Sequence, residues 1–168
     1  MQRGEPMKEY PLMDEGEGVC LFRPHVPDAA IKNLTETLST RWIGQGPKVN
    51  QFEQEFKRIL GLEGFPIAVS SGTAALHLAY VFAGVDRGDE VICPIFTCTA
   101  TNLPILYQGG VPIFCDVAKA SMNVDVDKLE GLITNKTKAI CVVDYGGKPN
   151  NYTKLRAICD RYDLKLIA

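Results

Sequence analysis

The residues whose types and spacing indicate chemistry lie where an apolar strand-like segment runs into an apolar helical stretch. Ile67–Ser70 is followed at once by Ser71, Gly72 and Thr73, and the helical pattern continues to Gly84. Gly72 permits a tight turn and a close approach of the backbone, and Ser71 or Thr73 can cap the helix with its side chain. The first amides of such a helix have no intrahelical partners and lie at the positive end of its dipole. The junction therefore predicts a phosphate cradle, although a capped turn without a ligand fits the same spacing.

Two other kinds of phosphate-binding loop are excluded by the residues at this junction. A Walker loop needs a lysine directly after its glycines, and Thr73, Ala74 and Ala75 stand there instead. A dinucleotide fingerprint needs the pattern G-x-G-x-x-G, whereas the junction contains one glycine. The ligand that remains is a small phosphate monoester held by amides and hydroxyls.

Three further side chains are candidates for chemistry, and a structural role is favoured for each. Asp116 and Asp144 follow predicted strands, so both are expected at the carboxyl edge of the sheet, where ligands bind in such folds. A carboxylate at a strand end more often caps a helix or a loop than takes part in catalysis. His77 lies inside the apolar helix and is interpreted as a hydrogen-bonded core residue rather than a base.

The cysteines do not form a metal-binding pattern. The chain has no C-x-x-C pair and only two histidines, so a zinc site is disfavoured. Most of the cysteines lie in apolar strand-like or helical segments, and small buried thiols in a reducing compartment explain them better. The cysteines are Cys20, Cys93, Cys98, Cys115, Cys141 and Cys159.

Short apolar runs alternate with helix-period stretches from about Phe65 onward. The runs are rich in valine and isoleucine without polar alternation, which is typical of strands covered on both faces. This order predicts βαβ units and an α/β fold with a mainly parallel sheet flanked by helices. The predicted strands are Ile67–Ser70, Val91–Cys93, Val111–Cys115, Ala139–Val143 and Leu164–Ala168. The predicted helices are Thr73–Ala83, Thr97–Tyr107, Val126–Ile133 and Tyr152–Tyr162.

The ends of these helices carry recognisable signals. Gly84 predicts the stop of the first helix, Asp125 the cap of the third, and Asn150 or Asn151 the cap of the fourth. The first helix is so apolar that we expect it to be covered almost all round.

Residues 1–64 are predicted to form an N-terminal arm with two helices, and residues 65–168 the α/β domain. The helices are expected around Asp28–Leu38 and Val49–Leu60, and the second has an apolar stripe at helical spacing. Between them a glycine-rich turn, Thr40–Pro47, carries the only tryptophan of the chain.

Charge and hydropathy disfavour several kinds of partner. The formal net charge of −2 gives no field that would attract nucleic acid or an anionic membrane. Met1–Asp14 is polar and contains acidic residues, unlike a signal peptide, and no uncharged apolar run approaches the ~18 residues that cross a bilayer. A soluble cytoplasmic protein is the simplest expectation.

Three segments, in the expected order and spacing, resemble the DegT/DnrJ/EryC1/StrS family of sugar aminotransferases. The central segment is SSGTAALHLAYVFAGVDRGDEVICPIFTCTATNLPILYQGGVPIFCDV, and the flanking ones are RWIGQGPKVNQFEQEF and KAICVVDYGGKPNNYTKLRAICDRYDLKLIA. The resemblance runs from about Leu21 to Ala168. It implies a partial large domain of a fold-type-I PLP-dependent transferase, pyridoxal phosphate as cofactor, and a homodimer for the full-length protein.

The resemblance also implies binding roles for individual residues. Gly72, Thr73 and Ala74 would hold the cofactor phosphate. Cys98 occupies a position where the family often has an aromatic ring against the pyridine face, and losing such stacking weakens binding by about 0.5–1.5 kcal/mol. Phe96 is an alternative source of a ring. The implied substrate-binding residues, near the sugar nucleotide, are Trp42, Ile43, Gly44, Gln45 and Gly46. For Trp42, an aromatic contact that pins the arm is an equal alternative.

The activity implied by the resemblance is transfer of an amino group, with glutamate as the expected donor, to a nucleotide-linked keto sugar. Transamination needs a Schiff-base lysine and a carboxylate against the pyridinium nitrogen, and in the family both follow the strand represented by Leu164–Ala168. Since the lysines present stand in polar contexts, no catalytic residue is assigned and the chain alone is expected to be inactive. Two alternatives stay open: a dehydratase of the same family, with histidine in place of that lysine, and a truncated, non-catalytic binding module.

Overall fold

The computed structural model describes residues 24–168, so Cys20 lies outside the described part of the chain. The chain divides into two compact units, one ending at Pro66 and the other running from Ile67 to Ala168. Each unit is described by itself below.

The first unit contains two helices, α1 (Asp28–Ser39) and α2 (Pro47–Leu60). A proline begins α2, where the missing N–H leaves no intrahelical bond unmade. The helix ends at Gly61, whose φ of 61° lies in the left-handed region that commonly terminates helices. Both helices form where the sequence predicts them, with α2 beginning two residues earlier.

The apolar side chains of these two helices remain exposed in the structure. No residue of α1 or α2 is buried, although Phe52 and Phe56 pack against each other with ring centroids 5.7 Å apart. The apolar stripe therefore exists as the periodicity predicts, but residues 24–66 do not enclose a core of their own. The exposed apolar residues of these helices are Ile31, Leu34, Leu38, Phe52, Phe56, Ile59 and Leu60.

The second unit alternates helices and strands along the whole of its length. Its helices are α3 (Gly72–Phe82), α4 (Thr99–Tyr107), α5 (Val126–Leu129) and α6 (Tyr152–Tyr162). Its strands are β1 (Glu90–Pro94), β2 (Val111–Cys115), β3 (Thr137–Cys141) and β4 (Lys165–Ile167). All neighbouring strands pair in parallel, in the order β2-β1-β3-β4. The predicted α/β fold with a parallel sheet is confirmed.

One predicted strand is wrong, because residues Ile67–Ser70 lie outside the four-stranded sheet. A strand forms only where a neighbouring strand shares its ladder of hydrogen bonds, and the edges of this sheet are β2 and β4. The apolar composition of the segment was correctly recognised, but composition does not supply a pairing partner. Ile67 is consequently 64% exposed.

The sheet is covered on both faces, as its unalternating apolar strands predict. One face packs beneath α5 and α6 and the other beneath α3 and α4, so consecutive residues of β1 and β3 enter opposite cores. The buried residues of the first core are Ile92, Cys115, Val124, Leu129, Ile140, Val142, Leu155, Ile158 and Cys159. Those of the second core are Tyr80, Val85, Val91, Cys93, Ile105, Ala139, Cys141 and Ile167.

Helix α3 is covered on one side only, which corrects the expectation that it is surrounded. Tyr80 is its single buried residue, and the Tyr80 hydroxyl donates a hydrogen bond of 2.8 Å to the carbonyl oxygen of Thr101 on α4. On the other side Val81 and Phe82 are exposed. The hydropathy of the helix predicts burial, but it does not show how many of its faces find a neighbour.

The helix-end signals are confirmed in part. Gly84 follows α3 with a φ of 73°, and the Asn151 side chain accepts a hydrogen bond from the Lys154 amide at the start of α6. Asp125 makes no capping bond to α5 because its carboxylate lies 3.4 Å from Lys128 Nζ. The predicted third helix is also shorter, since a 3-10 turn, Glu130–Leu132, follows α5.

Four cysteines are buried and free, as the interpretation of small core residues predicts. For Cys98 that interpretation is wrong: the residue is exposed, because it lies in the loop between β1 and α4 rather than in a core strand. Burial raises the pKa of Cys93 to about 12 and that of Cys141 to about 11. These core thiols therefore stay protonated and unreactive at neutral pH. Within residues 24–168 no helix is both long and apolar enough to span a bilayer.

The Tyr80 hydrogen bond provides a test of the contact between α3 and α4. Tyr80→Phe removes the hydroxyl while keeping the ring, and it leaves a buried carbonyl with one partner fewer. We expect the free energy of unfolding to fall by about 1 kcal/mol, measured by urea denaturation. Tyr162→Phe, at an exposed tyrosine on α6, is the control that should change little. Equal stability of the Tyr80→Phe variant and the wild type would contradict this packing.

Candidate phosphate site and the carboxyl edge of the sheet

The start of α3 leaves two backbone amides available to a ligand. Ser71 is the residue before the helix, and its Oγ accepts a hydrogen bond of 3.1 Å from the Ala74 amide. The Ala75 amide donates to the Ser71 carbonyl oxygen at 3.0 Å. The amides of Gly72 and Thr73 have no partner among the described residues.

The Ala74 amide, which was predicted to face the phosphate, is thus already bonded to the protein. From the sequence, both a Ser71 cap and a phosphate held by Ala74 were expected, but each of these needs the Ala74 N–H as its hydrogen-bond donor. The Ser71 hydroxyl nevertheless keeps its own hydrogen to donate outward. The groups that remain for an anion are two amides and the hydroxyls of Ser71 and Thr73.

The space in front of Gly72 is open. Gly72 is exposed, and a Cβ placed on it would meet no protein atom within 4 Å. A methyl group there would therefore occupy space that the protein leaves open beside the free amides. Two amides, two hydroxyls and the positive end of the helix dipole fit a phosphate group.

The start of α3 lies toward the carboxyl edge of the sheet. Near the end of the helix, Tyr80 interacts with Cys141, the last residue of β3. Further along the chain, Val85 lies beside Gly110, which directly precedes β2. The chain from α3 to Val85 therefore runs from the carboxyl ends of the strands toward their amino ends, with Gly72 on the side where ligands bind in parallel α/β sheets.

The chain that leaves β1 carries Phe96 and Cys98. Cys98 precedes α4, is exposed, and makes no capping hydrogen bond. Phe96 packs against Tyr145, which follows β3, with ring centroids 4.9 Å apart and planes inclined at 54°. Phe96 was named from the sequence as an alternative source of a ring, whereas Tyr145 was not predicted. The only signal for Tyr145 was its place after a strand end.

Asp144 lies at the end of the extended chain that follows β3, and it organises the next loop. Its carboxylate accepts hydrogen bonds from the Asn150 amide at 2.8 Å, from Asn150 Nδ2 at 2.7 Å and from the Tyr152 hydroxyl at 3.0 Å. Partial burial raises the pKa of Asp144, but the hydrogen bonds from Asn150 and Tyr152 outweigh it and lower the pKa overall. The loop-capping interpretation of this carboxylate agrees with the geometry.

Asp116, which follows β2, is likewise held by the protein. Its carboxylate lies 2.9 Å from Lys128 Nζ and accepts a 2.8 Å hydrogen bond from the Val117 amide. The hydrogen bond from Lys128 and the one from Val117 lower the pKa of Asp116. Because both charged groups are exposed, the pair adds little to stability.

His77 has a partner, as a structural role requires. Its Nε2 shares a hydrogen bond with the side-chain amide of Gln108, and its ring lies edge-on to Tyr107 at 5.6 Å between centroids. Both neighbours belong to the end of α4. His77 is half-buried, so it forms part of the contact between α3 and α4 rather than of the central core.

In the first unit, the turn between α1 and α2 folds onto its own tryptophan. Trp42 Nε1 donates a hydrogen bond of 2.9 Å to the Gln45 carbonyl oxygen, and a Cβ at Gly46 would overlap the indole. A glycine at position 46 is therefore needed for the indole to pack against the backbone of the turn. Ile43 and Gly44, in the same turn, are exposed. The turn borders a cavity of about 600 Å³ whose lining includes Trp42, Ile43, Gly44 and Gly46, together with Glu36, Thr37, Thr40, Pro47, Lys48, Val49 and Gln51.

Neither a metal cluster nor a buried lysine is found in the described chain. Residues 24–168 contain no group of three or more His, Cys, Asp or Glu side chains placed to hold a metal ion. Every lysine in this range is exposed or, for Lys57, half-buried. A lysine that reacts as a neutral amine at neutral pH is usually buried or placed beside another cation. The lysines of residues 24–168 are not buried.

Together the fold and the site define a parallel α/β protein in which a helix with two free amides begins on the carboxyl side of the sheet. The profile of the DegT/DnrJ/EryC1/StrS aminotransferase family matches residues 25–168, and the chain belongs to this family. The chain is 38% identical over 141 residues to the spore coat polysaccharide biosynthesis protein SpsC of Bacillus subtilis, which covers 84% of this chain and 36% of SpsC. The chain spans less than two fifths of the length of the curated relatives that it matches.

Solved structures of similar proteins share the fold. NtdA from Bacillus subtilis with bound cofactor PMP is 38% identical, with a TM-score of 0.77 over 81% of this chain and 31% of NtdA. The PLP form of the sugar aminotransferase Spr1654 from Streptococcus pneumoniae is 32% identical, with a TM-score of 0.78 over 86% of this chain and 37% of that protein. The predicted partial fold-type-I domain is confirmed, and pyridoxal phosphate is the cofactor that these relatives indicate.

The lowered pKa of Asp144 predicts a contribution to stability that depends on pH. A carboxyl whose pKa is lower in the folded state stabilises the fold above its unfolded pKa, about 3.9. This contribution is lost as the pH falls through the folded value. Asp144→Asn keeps acceptor and donor atoms but not the charge, so its melting temperature should fall less between pH 5 and pH 3 than that of the wild type.

Asp160→Asn, at an exposed carboxylate on α6, is the matched control and should retain the wild-type profile. Melting temperatures followed by circular dichroism across this pH range measure the effect. Parallel profiles for the wild type and Asp144→Asn would show that the hydrogen bonds from Asn150 and Tyr152 do not favour the ionised form.

Proposed function

We propose that this chain contributes the phosphate-binding part of a pyridoxal-phosphate-dependent aminotransferase that acts on nucleotide-linked keto sugars, with glutamate as amino donor. Membership of the aminotransferase family and the PMP and PLP forms of similar structures support the reaction class. The nucleotide on the sugar, glutamate as the amino donor and assembly as a homodimer are further parts of the same proposal.

The observation that carries the proposal is the open pair of amides at Gly72 and Thr73. These amides can donate to two phosphate oxygens, and the hydroxyls of Ser71 and Thr73 can donate to others. Hydrogen bonds to a charged acceptor are worth about 1.5–3 kcal/mol each. Once bound, pyridoxal phosphate supplies the electron sink that transamination requires. The role of this part of the chain is to hold and orient the phosphate.

The turn beside the cavity of the first unit is the proposed contact for the sugar nucleotide. Trp42 and Ile43 present apolar surface, being 60% and 74% exposed. The indole N–H is already bonded to Gln45, so the indole would contribute its ring rather than its donor. The side chain of Thr40 and the backbone of Gly44 line the cavity, and the side chain of Gln45 is a further polar group of the same turn.

The 168-residue polypeptide is proposed to bind the cofactor without catalysing transamination. None of the lysines in residues 24–168 has the burial that favours a neutral amine. This observation favours the non-catalytic module as the second candidate function for the chain by itself.

Gly72→Ala tests the phosphate site without disturbing the fold. The added methyl group meets no protein atom within 4 Å, but it blocks the approach to the free amides. Losing a single charge-assisted hydrogen bond is worth about tenfold or more in affinity. The dissociation constant of pyridoxamine phosphate, measured by equilibrium dialysis, should therefore be at least about tenfold larger for Gly72→Ala than for the wild type. Thr73→Asp should abolish binding through charge repulsion.

Gly131→Ala is the matched control, because a Cβ there also meets nothing within 4 Å and the residue lies in the 3-10 turn after α5. Its affinity for pyridoxamine phosphate should equal that of the wild type. Unchanged affinity in Gly72→Ala would place the ligand elsewhere and overturn the proposed site.

The proposed lack of transaminase activity is tested by assaying the purified 168-residue chain with pyridoxal phosphate and glutamate. We expect no 2-oxoglutarate above a protein-free control that contains free lysine at the same amine concentration. Enzyme-like turnover that saturates with glutamate would refute the non-catalytic assignment.

A further inference from the structure

The strand order makes the carboxyl ends of β1 and β3 the point where the connections of the sheet reverse direction. The connection from β1 to β2 runs through α4 on one face of the sheet, and the connection from β2 to β3 runs through α5 on the other. The chain therefore leaves β1 toward one side and returns to its opposite side as β3. Such a reversal opens a gap at the strand ends, and ligands of parallel α/β sheets bind in this gap.

An exposed aromatic pair occupies this position. Phe96 lies two residues beyond β1 and Tyr145 four residues beyond β3, and their rings pack 4.9 Å apart. Each residue is nevertheless 43% exposed, so the pair covers only part of its own apolar surface. Aromatic side chains side by side at a strand-end crevice offer faces and edges to a further planar ring.

The Tyr145 side of the pair is held in place by the surrounding backbone. The Tyr145 amide donates a hydrogen bond of 3.0 Å to Asn123 Oδ1, and Asn123 Nδ2 donates one of 2.8 Å to the Lys148 carbonyl oxygen. Asn123 is itself buried. Between these contacts the chain turns at Gly146 and Gly147, with φ of 61° and 79°, values that glycine adopts without strain. The loop is thus preorganised before any ligand arrives.

The Phe96 side is tied to the sheet. The Ile95 amide donates a hydrogen bond of 3.0 Å to the carbonyl oxygen of Cys115 at the end of β2. Beyond Phe96, Thr97 Oγ1 and Thr101 Oγ1 are hydrogen-bonded at 2.8 Å, which joins the loop to the first turn of α4. Phe96 is therefore fixed between two anchored residues.

We propose that Phe96 and Tyr145 form an aromatic platform that holds the planar heterocycle of the phosphorylated cofactor at this crevice. The proposal rests on the proposed function, because it takes the ligand to be the one whose phosphate binds at Gly72 and Thr73. It assigns to this pair the ring contact that the Cys98 thiol cannot make.

Two leucine variants and two ligands test the platform. Phe96→Leu and Tyr145→Leu keep an apolar side chain but remove a ring, and Tyr145→Phe keeps the ring. Dissociation constants of pyridoxamine phosphate and of inorganic phosphate are measured for each 168-residue variant by equilibrium dialysis. We expect each leucine variant to bind pyridoxamine phosphate about two- to tenfold more weakly and to bind inorganic phosphate as the wild type does. Tyr145→Phe should retain wild-type affinity for both.

Phe82→Leu is the control for loss of an exposed ring, because Phe82 ends α3 and is 76% exposed. It should leave both affinities unchanged. Far-ultraviolet circular dichroism and melting temperature establish that each variant is folded. If Phe96→Leu fails to fold, Phe96→Tyr, which retains a ring, and the Tyr145 series carry the comparison.

The results separate the platform from the proposed function. Equal binding of pyridoxamine phosphate by the wild type and both leucine variants overturns the platform and leaves the phosphate site standing. A wild type that binds neither ligand overturns the proposed function and the platform with it. A leucine variant that loses inorganic phosphate as well shows that the aromatic pair supports the fold rather than the ring, and this outcome also overturns the platform.

Discussion

The parallel pairing of β1 with β3 is the interaction on which the rest of the second unit depends. It joins Val91 to Ala139 and Ile92 to Ile140, and consecutive residues of both strands then enter opposite cores. Because the two strands run in the same direction, the chain must leave each of them at the same edge. This pairing brings the aromatic pair and Asp144, which follow β1 and β3, to one side of the sheet.

The site gains its properties from backbone groups more than from reactive side chains. The carboxylates at the strand ends are bonded within their own loops, His77 is bonded to Gln108 and the core thiols are buried. By contrast, the Gly72 and Thr73 amides have no partner in the described chain. Such a surface offers hydrogen-bond donors that suit an anion but has little acid–base chemistry of its own. This agrees with a cofactor that carries the chemistry while the protein supplies position.

The helices of the first unit and one side of α3 expose apolar side chains, whereas the strands of the second unit bury theirs. The helices of the first unit bury no residue, and one side of α3 is uncovered. In the second unit Ile92, Ile140 and Leu155 are fully buried. The four-stranded sheet with its two covered faces is therefore the stable element of the second unit, and the proposed phosphate site lies where a partly covered helix begins. Burial of apolar area is the main source of folding stability, so the peripheral helices are held less firmly than the strands.

The sequence by itself determined the local features. Hydrophobic periodicity, helix-end residues and the alternation of elements, which are properties of neighbouring residues, predict the helices α3, α4 and α6, the strands β1 and β2 and the parallel sheet. They left two caps open, Ser71 or Thr73 for α3 and Asn150 or Asn151 for α6, and in the structure the side chains of Ser71 and Asn151 make the capping bonds. Only the tertiary structure decided what depends on distant partners. Ile67–Ser70 has the composition of a strand but lies outside the sheet, because no neighbouring strand shares its ladder of hydrogen bonds. Phe96 packs against Tyr145 because β1 and β3 are neighbours in the sheet. A contact between residues so far apart in the chain has no local signal in the sequence.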